Sequence, residues 1–356
     1  MTGIAAPGYT GTADCMGRGQ VSSLCSAAVL LVIAACASAP AESARREPVI
    51  VGPTEPQGSA QPGPARITGL IPAPGCGLLP RPSMRLVRHS YGLEYGKADG
   101  RRLLLDLAVP DIPGPHPVVV LFHGGGFRSG HRSSGRHTME MLALRGYAAA
   151  SVGYRLMREE GRGRFPAPVS DARCAVRWLR HHAHDLGIDP DRLAAMGFSA
   201  GAHLSAMLGT ASDVDGLDDQ CALTGVSSPR VQAAINLYGP SDFRPGYRVG
   251  QAADPVITRF LGVSRESDPV RAALASPAAH VDGRDAPTLL IHGARDHVVD
   301  VEQSRHMERT LRAAGVPVVL VELPGSAHGF GLFPPGPFSE TATCTTLEFL
   351  RRVFGR

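Results

Sequence analysis

Residues 193–204, with the sequence LAAMGFSAGAHL, decide the fold. Residues 193–196 form a short apolar run typical of a strand buried on both faces of a sheet, and residues 200–208 read as a helix with small residues in its first turn. Ser199 stands between them in a Gly-x-Ser-x-Gly pentapeptide, whose glycines are needed because a Cβ would obstruct a sharp turn. The stretch therefore predicts a strand–turn–helix unit that holds the serine hydroxyl exposed in strained backbone geometry.

A second glycine-rich segment, residues 123–126 (HGGG), follows the β-branched and apolar run VVVLF at residues 118–122. Glycines there allow the backbone to approach a ligand closely and to turn its N–H groups toward one point. The helix after the serine adds unpaired N–H groups and the positive end of its dipole. We therefore expect the N–H groups of Gly125, Gly126 and Ala200 to form an oxyanion hole.

A carboxylate that orients a catalytic histidine should follow a later strand. Residues 288–292 (TLLIH) predict such a strand, and Asp296 lies in the loop after it. Asp300 is the alternative acid, but it precedes the apolar-periodic start of a helix, where a capping role together with Gln303 suits it. Loop position therefore favours Asp296 as the orienting carboxylate.

The general base should follow the last strand, which residues 318–322 (VVLVE) predict. His328 lies in the next loop, LPGSAHGF, where it has no helical or strand face to fill. The order Ser199, Asp296, His328 is that of α/β-hydrolases rather than of chymotrypsin or subtilisin. The remaining histidines suit structural roles: His123 braces its own loop, His292 ends a strand, and His181, His182 and His184 lie on a solvated helix face.

These motifs resemble those of the α/β-hydrolase esterase/lipase superfamily over about residues 85–354. Within it the chain looks most like HGGG-type esterases, both the hormone-sensitive-lipase group and the bacterial feruloyl/acetyl-xylan-esterase-like group. The resemblance implies a Ser199–His328–Asp296 triad that hydrolyses a carboxylic ester through an acyl-enzyme, with no cofactor. It rests on residues 123–127 (HGGGF), 189–193 (DPDRL), 197–204 (GFSAGAHL), 238–243 (YGPSDF) and 292–296 (HGARD).

In one feature this chain departs from the hormone-sensitive-lipase group of esterases. Hormone-sensitive-lipase relatives carry an N-terminal helical cap over the pocket, whereas the equivalent stretch here is rich in Pro and Gly. This favours the feruloyl-esterase-like side, with a more open site. The substrates expected from the resemblance as a whole are short-chain or carbohydrate-linked esters. The alternatives are an amidase or peptidase that resembles arylformamidases or prolyl-oligopeptidases, and a surface lipoprotein that has lost catalysis and only binds. The lack of a second Gly after Gly201 argues against the peptidase, and the complete Ser, Asp, His and glycine set argues against the binding protein.

Alternating strand and helix patterns predict an α/β-hydrolase fold, with a mainly parallel eight-stranded sheet and helices on both faces. The first two strands should be antiparallel, within residues 85–109 around a turn at residues 98–100. A short insertion, residues 238–287, follows the sixth strand and should lie near the pocket mouth. The other predicted strands are residues 118–122, 148–152, 193–196, 231–237, 288–292 and 318–322, and a helical stripe runs through Val169, Ala172, Val176, Leu179, Ala183 and Leu186.

Residues 1–36 predict a signal peptide. The apolar stretch 24–35 is too short for a comfortable membrane span, and it leads into Cys36 through IAAC, which resembles a bacterial lipobox with this cysteine as the lipidated residue. A start at Met16 would give a conventional positive n-region. Residues 37–82, rich in Pro and Gly, predict a disordered tether, and residues 83–356 the catalytic domain. The expected product is exported, as a lipoprotein on a periplasmic or cell-surface membrane face or, if a later site is cleaved, as a secreted protein.

Charge and cysteine content indicate which partners, metal sites and disulfides to expect. The net charge is +4, and Lys97 is the only lysine among 36 basic residues, with no basic run interleaved with aromatics, so nucleic acid is not an expected partner. No Cys-x-x-Cys or His-x-x-x-His pair suggests a metal site. Four cysteines after the lipobox allow two disulfides in three possible pairings, unless Cys174 is a buried thiol: Cys76, Cys174, Cys221 and Cys344.

Overall fold

The computed structural model describes residues 86–333 and 337–355. The predicted signal peptide, the lipobox cysteine Cys36, the tether and Cys76 lie outside these residues. The described part of the chain begins just after the start of the predicted catalytic domain.

Eight strands form a single sheet in the described residues. They are β1 (Val87–Ala98), β2 (Arg101–Pro110), β3 (His116–Phe122), β4 (Ala148–Val152), β5 (Ile188–Phe198), β6 (Ala233–Leu237), β7 (Thr288–Gly293) and β8 (Val318–Leu323). Their order in the sheet is β1-β2-β4-β3-β5-β6-β7-β8. β2 is antiparallel to both of its neighbours, and every other pair is parallel. The predicted mainly parallel sheet with an antiparallel start is confirmed.

Helices connect these strands and cover both faces of the sheet. They are α1 (Arg136–Ala143), α2 (Ala167–His181), α3 (Ala183–Leu186), α4 (Ala200–Thr210), α5 (Asp254–Leu261), α6 (Pro269–Leu274), α7 (Glu302–Ala313) and α8 (Pro337–Phe354). Short 3₁₀ turns at Arg132–Gly135 and Pro277–Ala279 precede α1 and follow α6. The predicted helical stripe is divided between α2 and α3, because the chain leaves helical geometry at His182.

The apolar strand runs are buried because helices pack on both sides of them. Successive side chains of a strand point to opposite faces. In β3, Val118 and Val120 therefore pack with α2 and α4, whereas Val119 and Leu121 pack with α1 and α8. A strand with two buried faces needs a continuous apolar run, which is the pattern that the sequence shows.

The parallel register brings the loops that carry the candidate residues to one edge of the sheet. Phe122 at the end of β3 pairs with Gly197 near the end of β5. Gly293 at the end of β7 pairs with Leu323 at the end of β8. The loops after these four strands therefore leave the sheet at the same edge, which is where open α/β sheets bind their ligands.

A disulfide joins α2 to the loop that follows α4. Cys174 and Cys221 are bonded, with their Cα atoms 5.6 Å apart. Cys174 is therefore not the buried thiol that the sequence also allowed. Cys344 is likewise disulfide-bonded. The bond between Cys174 and Cys221 ties a surface loop to a helix that packs directly on the sheet.

Removing this disulfide should destabilise the protein by about 2–4 kcal/mol, because the bond closes a loop over a sequence separation of 47 residues and restricts the unfolded chain. The measurement is urea unfolding of wild type and of a Cys174→Ala/Cys221→Ala variant. Under reducing conditions the two proteins should differ much less, since the wild type then also lacks the bond. Equal stability of the two under oxidising conditions would contradict the prediction.

Candidate active site

Ser199 occupies a strained turn between β5 and α4. Its backbone angles are φ 52° and ψ −116°, in the left-handed half of conformational space that residues other than glycine rarely adopt. The flanking glycines have no room for a side chain: a Cβ on Gly197 would lie 2.0 Å from the Gly201 carbonyl oxygen, and one on Gly201 would lie 2.1 Å from the Phe122 oxygen. The tightness of the turn itself therefore explains Gly197, and close packing of the turn against the end of β3 explains Gly201.

His328 lies between Ser199 and Asp296. Its Nε2 is 3.0 Å from Ser199 Oγ, and its Nδ1 is 2.6 Å from Asp296 Oδ2. A carboxylate can only accept, so Nδ1 carries a proton and Nε2 of the neutral ring is free to accept the serine proton. The structure thus brings together the three side chains that the sequence singled out, from three separate loops.

Asp296 is fully hydrogen-bonded and has no exposed side-chain surface. Oδ1 accepts hydrogen bonds from the N–H groups of Val298 and Val299, at 2.8 and 3.0 Å. Burial alone would raise the pKa of Asp296, but hydrogen bonds from His292 and His328 outweigh it and hold the pKa well below its usual range. The carboxylate therefore stays ionised beside His328 over the ordinary pH range.

His292 is a supporting residue that sequence reasoning placed only at the end of a strand. Its Nε2 lies 3.2 Å from Asp296 Oδ2 and 3.1 Å from the Val299 carbonyl oxygen, and its Nδ1 lies 2.7 Å from Ser304 Oγ. Both neighbours of Nε2 are acceptors, so this nitrogen carries the proton and Nδ1 accepts from the Ser304 hydroxyl. The fully buried ring thus donates to the same oxygen of Asp296 that accepts from His328, and so helps to fix the carboxylate. The signal available in the sequence was its position four residues before the acid.

Asp300, the alternative acid, has a different role. Its Oδ1 accepts the N–H of Glu302 at the start of α7, and its carboxylate pairs with Arg248 at 2.9 Å. The predicted cooperation with Gln303 is wrong, because the Gln303 side chain accepts from the N–H groups of Ser241 and Asp242 instead. Asp300 therefore belongs to the helix start.

The three predicted oxyanion donors lie along one cleft beside Ser199. Gly125, Gly126 and Ala200 all line it, and within the described chain none of their N–H groups donates to another residue. Gly125 and Gly126 have φ values of +117° and +58°, which orient their peptides in a way that L side chains disfavour. His123 braces this loop as predicted, since its ring stacks on Tyr154 at 4.4 Å and its Nδ1 donates to the Gly124 carbonyl at 2.8 Å.

The cleft has a volume of about 540 Å³. Besides Ser199 and His328 at its base, it has an apolar wall formed by Ala252, Ala253, Val256, Ile257, Val298 and Val299. The first four of these belong to the insertion after β6, so the insertion lies at the pocket as predicted. Its helix α5 provides one side of the cleft.

His203, one turn beyond the serine on α4, connects the insertion to the serine turn. Its ring stacks on Phe243 and meets Phe127 and Phe260 edge-on, at centroid distances of 5.0 to 5.7 Å. Nε2 lies 2.7 Å from the Ala275 carbonyl oxygen and therefore carries the proton. Burial lowers the pKa of His203 to about 4, against a smaller opposing effect of this hydrogen bond, so the ring is neutral.

This buried histidine should make the protein less stable as the pH falls below about 6.5. In the unfolded chain the pKa of His203 is about 6.5. Between pH 6.5 and 4 the unfolded state therefore binds a proton that the folded state does not. The contribution of His203 to the free energy of unfolding is complete above the pKa of the unfolded chain and should be about 2 kcal/mol smaller near pH 5. Urea unfolding of wild type and His203→Gln at neutral pH and near pH 5 measures it. The variant should lose about 2 kcal/mol less between the two conditions, and an equal loss in both proteins would contradict the assignment.

No metal-ligating arrangement occurs in residues 86–333 and 337–355: no three His, Cys, Asp or Glu side chains are placed to share an ion. None of the helices in the same residues combines the length and the hydropathy that a membrane span requires.

The sequence is similar to those of several known esterases. The chain is 31% identical over 300 residues to Esterase LipQ of Mycobacterium tuberculosis, and the aligned region covers 82% of this chain and 68% of that protein. Esterase LipC of the same organism is 33% identical over 287 residues, 79% of this chain and 68% of its own. With the fold and the serine turn, these similarities make the chain a serine carboxylic ester hydrolase of the α/β-hydrolase class. More narrowly, it belongs to the BD-FAE family, whose match covers residues 105–311.

Solved structures agree with this classification. The thermophilic esterase Est2 of Thermogutta terrifontis superposes with a TM-score of 0.61 at 28% identity, over 77% of this chain and 94% of that one. The same esterase is known with propionate bound, at a TM-score of 0.60 and 29% identity, over 76% of this chain and 95% of that one. A third structure shows this esterase phosphonylated by sarin. It superposes with a TM-score of 0.64 at 27% identity, over 76% of this chain and 96% of that one. The resemblance to α/β-hydrolase esterases is confirmed, and the amidase, peptidase and inactive alternatives are not favoured.

Proposed function

We propose that this enzyme hydrolyses esters of short acyl groups, with simple or carbohydrate-linked alcohols, through an acyl-enzyme on Ser199. The observation that carries the proposal is the continuous chain from Ser199 Oγ through His328 to Asp296, at 3.0 and 2.6 Å, at the base of a cleft lined by unpaired N–H groups. No cofactor takes part in this chemistry.

In the proposed mechanism His328 Nε2 takes the Ser199 proton as Oγ attacks the ester carbonyl. Asp296 accepts from Nδ1, keeps the ring in the tautomer that can receive this proton, and stabilises the cation that forms. The oxyanion is stabilised by the N–H groups of Gly125, Gly126 and Ala200, each such donor being worth about 10²–10³ in turnover. His328 then protonates the leaving alcohol, and water, deprotonated by the same ring, releases the acid.

The size of the cleft supports a short acyl group. A volume of about 540 Å³ is in the range that a whole small ligand occupies, which favours a small acyl group next to Ser199. The wall of Ala, Val and Ile side chains suits a small apolar group. The Est2 structure with propionate bound also supports a small acyl group.

The test is hydrolysis of p-nitrophenyl esters from acetate to palmitate by the purified full-length chain. Activity should be highest at acetate or butyrate, and a fluorophosphonate probe should label Ser199. A matched anilide, which differs from the ester only in its amide nitrogen, should be a poor substrate. Highest activity at palmitate would contradict the short-acyl proposal, and a preferred anilide would contradict ester hydrolysis as the main activity.

We also propose that the enzyme is exported and anchored through a lipid on Cys36. The apolar stretch at residues 24–35 and the IAAC sequence support this. The wild-type protein should fractionate with membranes, and Cys36→Ala should release it into the soluble fraction with its esterase activity intact. Membrane association that survives the substitution would contradict the anchor.

A further inference from the structure

A second cleft, of about 500 Å³, lies beside the active-site cleft and is lined by four arginines. They are Arg128, Arg158, Arg164 and Arg259, and we name this region the arginine cleft. Arg128 also lines the active-site cleft, as does its neighbour Ser129, so the two clefts are adjacent and share part of their wall. A ligand whose ester group reaches Ser199 can therefore extend toward these side chains.

In the described part of the chain, the four arginines are not paired with any carboxylate. Within the described residues none of them forms an ion pair or a side-chain hydrogen bond, whereas neighbouring arginines are paired. Those neighbours are Arg155 with Asp171, Arg162 with Glu160 and Arg265 with Asp254. The lack of partners is thus a property of the cleft.

The Arg164 side chain is partly buried. Its Nε is buried and has no hydrogen-bond partner among the described residues. A Cβ on Gly262 would lie 3.2 Å from its Nη1, so the absence of a side chain there leaves room for the guanidinium. Part of its charge is therefore removed from water without any partner to compensate, which is a cost that a bound anion would relieve.

Charge decides what this cleft can bind. Glu159 is the one carboxylate among its lining residues in the described part of the chain, so four cations face a single anion. Guanidinium groups match carboxylate and phosphate oxygens in two-pronged geometry. We propose that the arginine cleft binds an anionic group, carboxylate or phosphate, carried by the ester substrate. The inference rests on the proposed esterase function and specifies its substrate class.

The test uses pairs of esters that differ in charge on either side of the scissile bond. On the alcohol side, 4-carboxyphenyl acetate is compared with neutral 4-acetylphenyl acetate. On the acyl side, p-nitrophenyl hydrogen adipate is compared with p-nitrophenyl hexanoate. A third anionic ester, 4-phosphonooxyphenyl acetate, distinguishes phosphate from carboxylate as the preferred group. The readout is the ratio of kcat/KM for the anionic ester to that for its neutral partner.

The variants are Arg158→Gln, Arg259→Gln and their combination. Both side chains are exposed and lie outside the active-site cleft, so the fold should not depend on them. Arg101→Gln is the matched control, since Arg101 is also exposed but does not line the arginine cleft. Comparing each variant with wild type cancels the intrinsic difference in reactivity between the two esters of a pair.

For at least one pair, the ratio should fall about three- to fivefold for each arginine removed, because exposed ion pairs contribute modestly. Arg101→Gln should leave it unchanged, and about 1 M salt should reduce the wild-type ratio, since charges are then screened within ~3 Å. Ratios that are equal in wild type, the double variant and the control for every pair would overturn the inference. Neutral-ester hydrolysis at the wild-type rate in Ser199→Ala would instead contradict the proposed function.

Discussion

Replacing Ser199 with alanine should lower kcat for p-nitrophenyl acetate by about 10⁶, close to the effect of removing a whole catalytic triad. The hydroxyl is the only group of this side chain that can form the acyl-enzyme, and its Oγ lies 3.0 Å from His328 Nε2. A residual acceleration of about 10³–10⁴ over water should remain, because the N–H groups and the cleft are untouched. Steady-state kinetics with the purified variant measures the loss, and labelling by a fluorophosphonate should disappear with it.

The fold should survive this change, because alanine also fits beside the two glycines and only one hydroxyl is lost. The unfolding midpoint in urea should therefore stay close to that of wild type. Ser264→Ala, at an exposed position of the insertion, is the matched control and should retain full activity. Wild-type turnover in Ser199→Ala would mean that another residue is the nucleophile.

Replacing Asp296 with asparagine should lower kcat by about 10⁴. The new amide can still accept from the N–H groups of Val298 and Val299, but its nitrogen would donate to His328 Nδ1. The His328 proton would then move to Nε2, which could no longer accept from Ser199. The loss should appear in kcat with little change in KM, because Asp296 does not line the active-site cleft.

Asp300→Asn is the control for this prediction, since it tests the other acid that the sequence offered. Asp300 pairs with Arg248 and accepts from the N–H of Glu302, so its substitution should change activity less than about twofold. Parallel kinetics of the two variants decides between the acids. A large loss in Asp300→Asn with none in Asp296→Asn would reverse the assignment.

Strand positions were predictable because a strand buried on both faces requires a continuous apolar run. The run at residues 193–196 marked the centre of β5, which extends over Ile188–Phe198. The start of β5 was missed because residues 189–192 (DPDR) interrupt the apolar pattern, and the buried Ile188 before them is identified as part of the strand only by its pairing with His116 of β3. The predicted helical stripe was interrupted at His182 for a related reason, since periodicity does not report where backbone geometry changes.

The insertion was the part least accessible to sequence reasoning. Its helices α5 and α6 are short, and their position depends on contacts with distant residues. Phe260 stacks on Phe127 at 3.9 Å, and His203 binds the Ala275 carbonyl, over separations of 133 and 72 residues. Contacts of this kind leave no periodic signal in the local sequence. The arginine cleft was invisible for the same reason, because its four residues come from three separate segments.

The sequence by itself determined the class of fold, the strand–turn–helix around Ser199 and the three side chains of the proposed triad. Each of these depends on local chemistry: glycine at a tight turn, apolar runs in strands and polar residues in the loops that follow them. Only the tertiary structure decided the Cys174–Cys221 pairing, the pairing of Asp300 with Arg248, and the position of α5 beside the active-site cleft. These depend on distances of a few ångströms between segments far apart in the chain, and such distances exist only once the sheet has assembled.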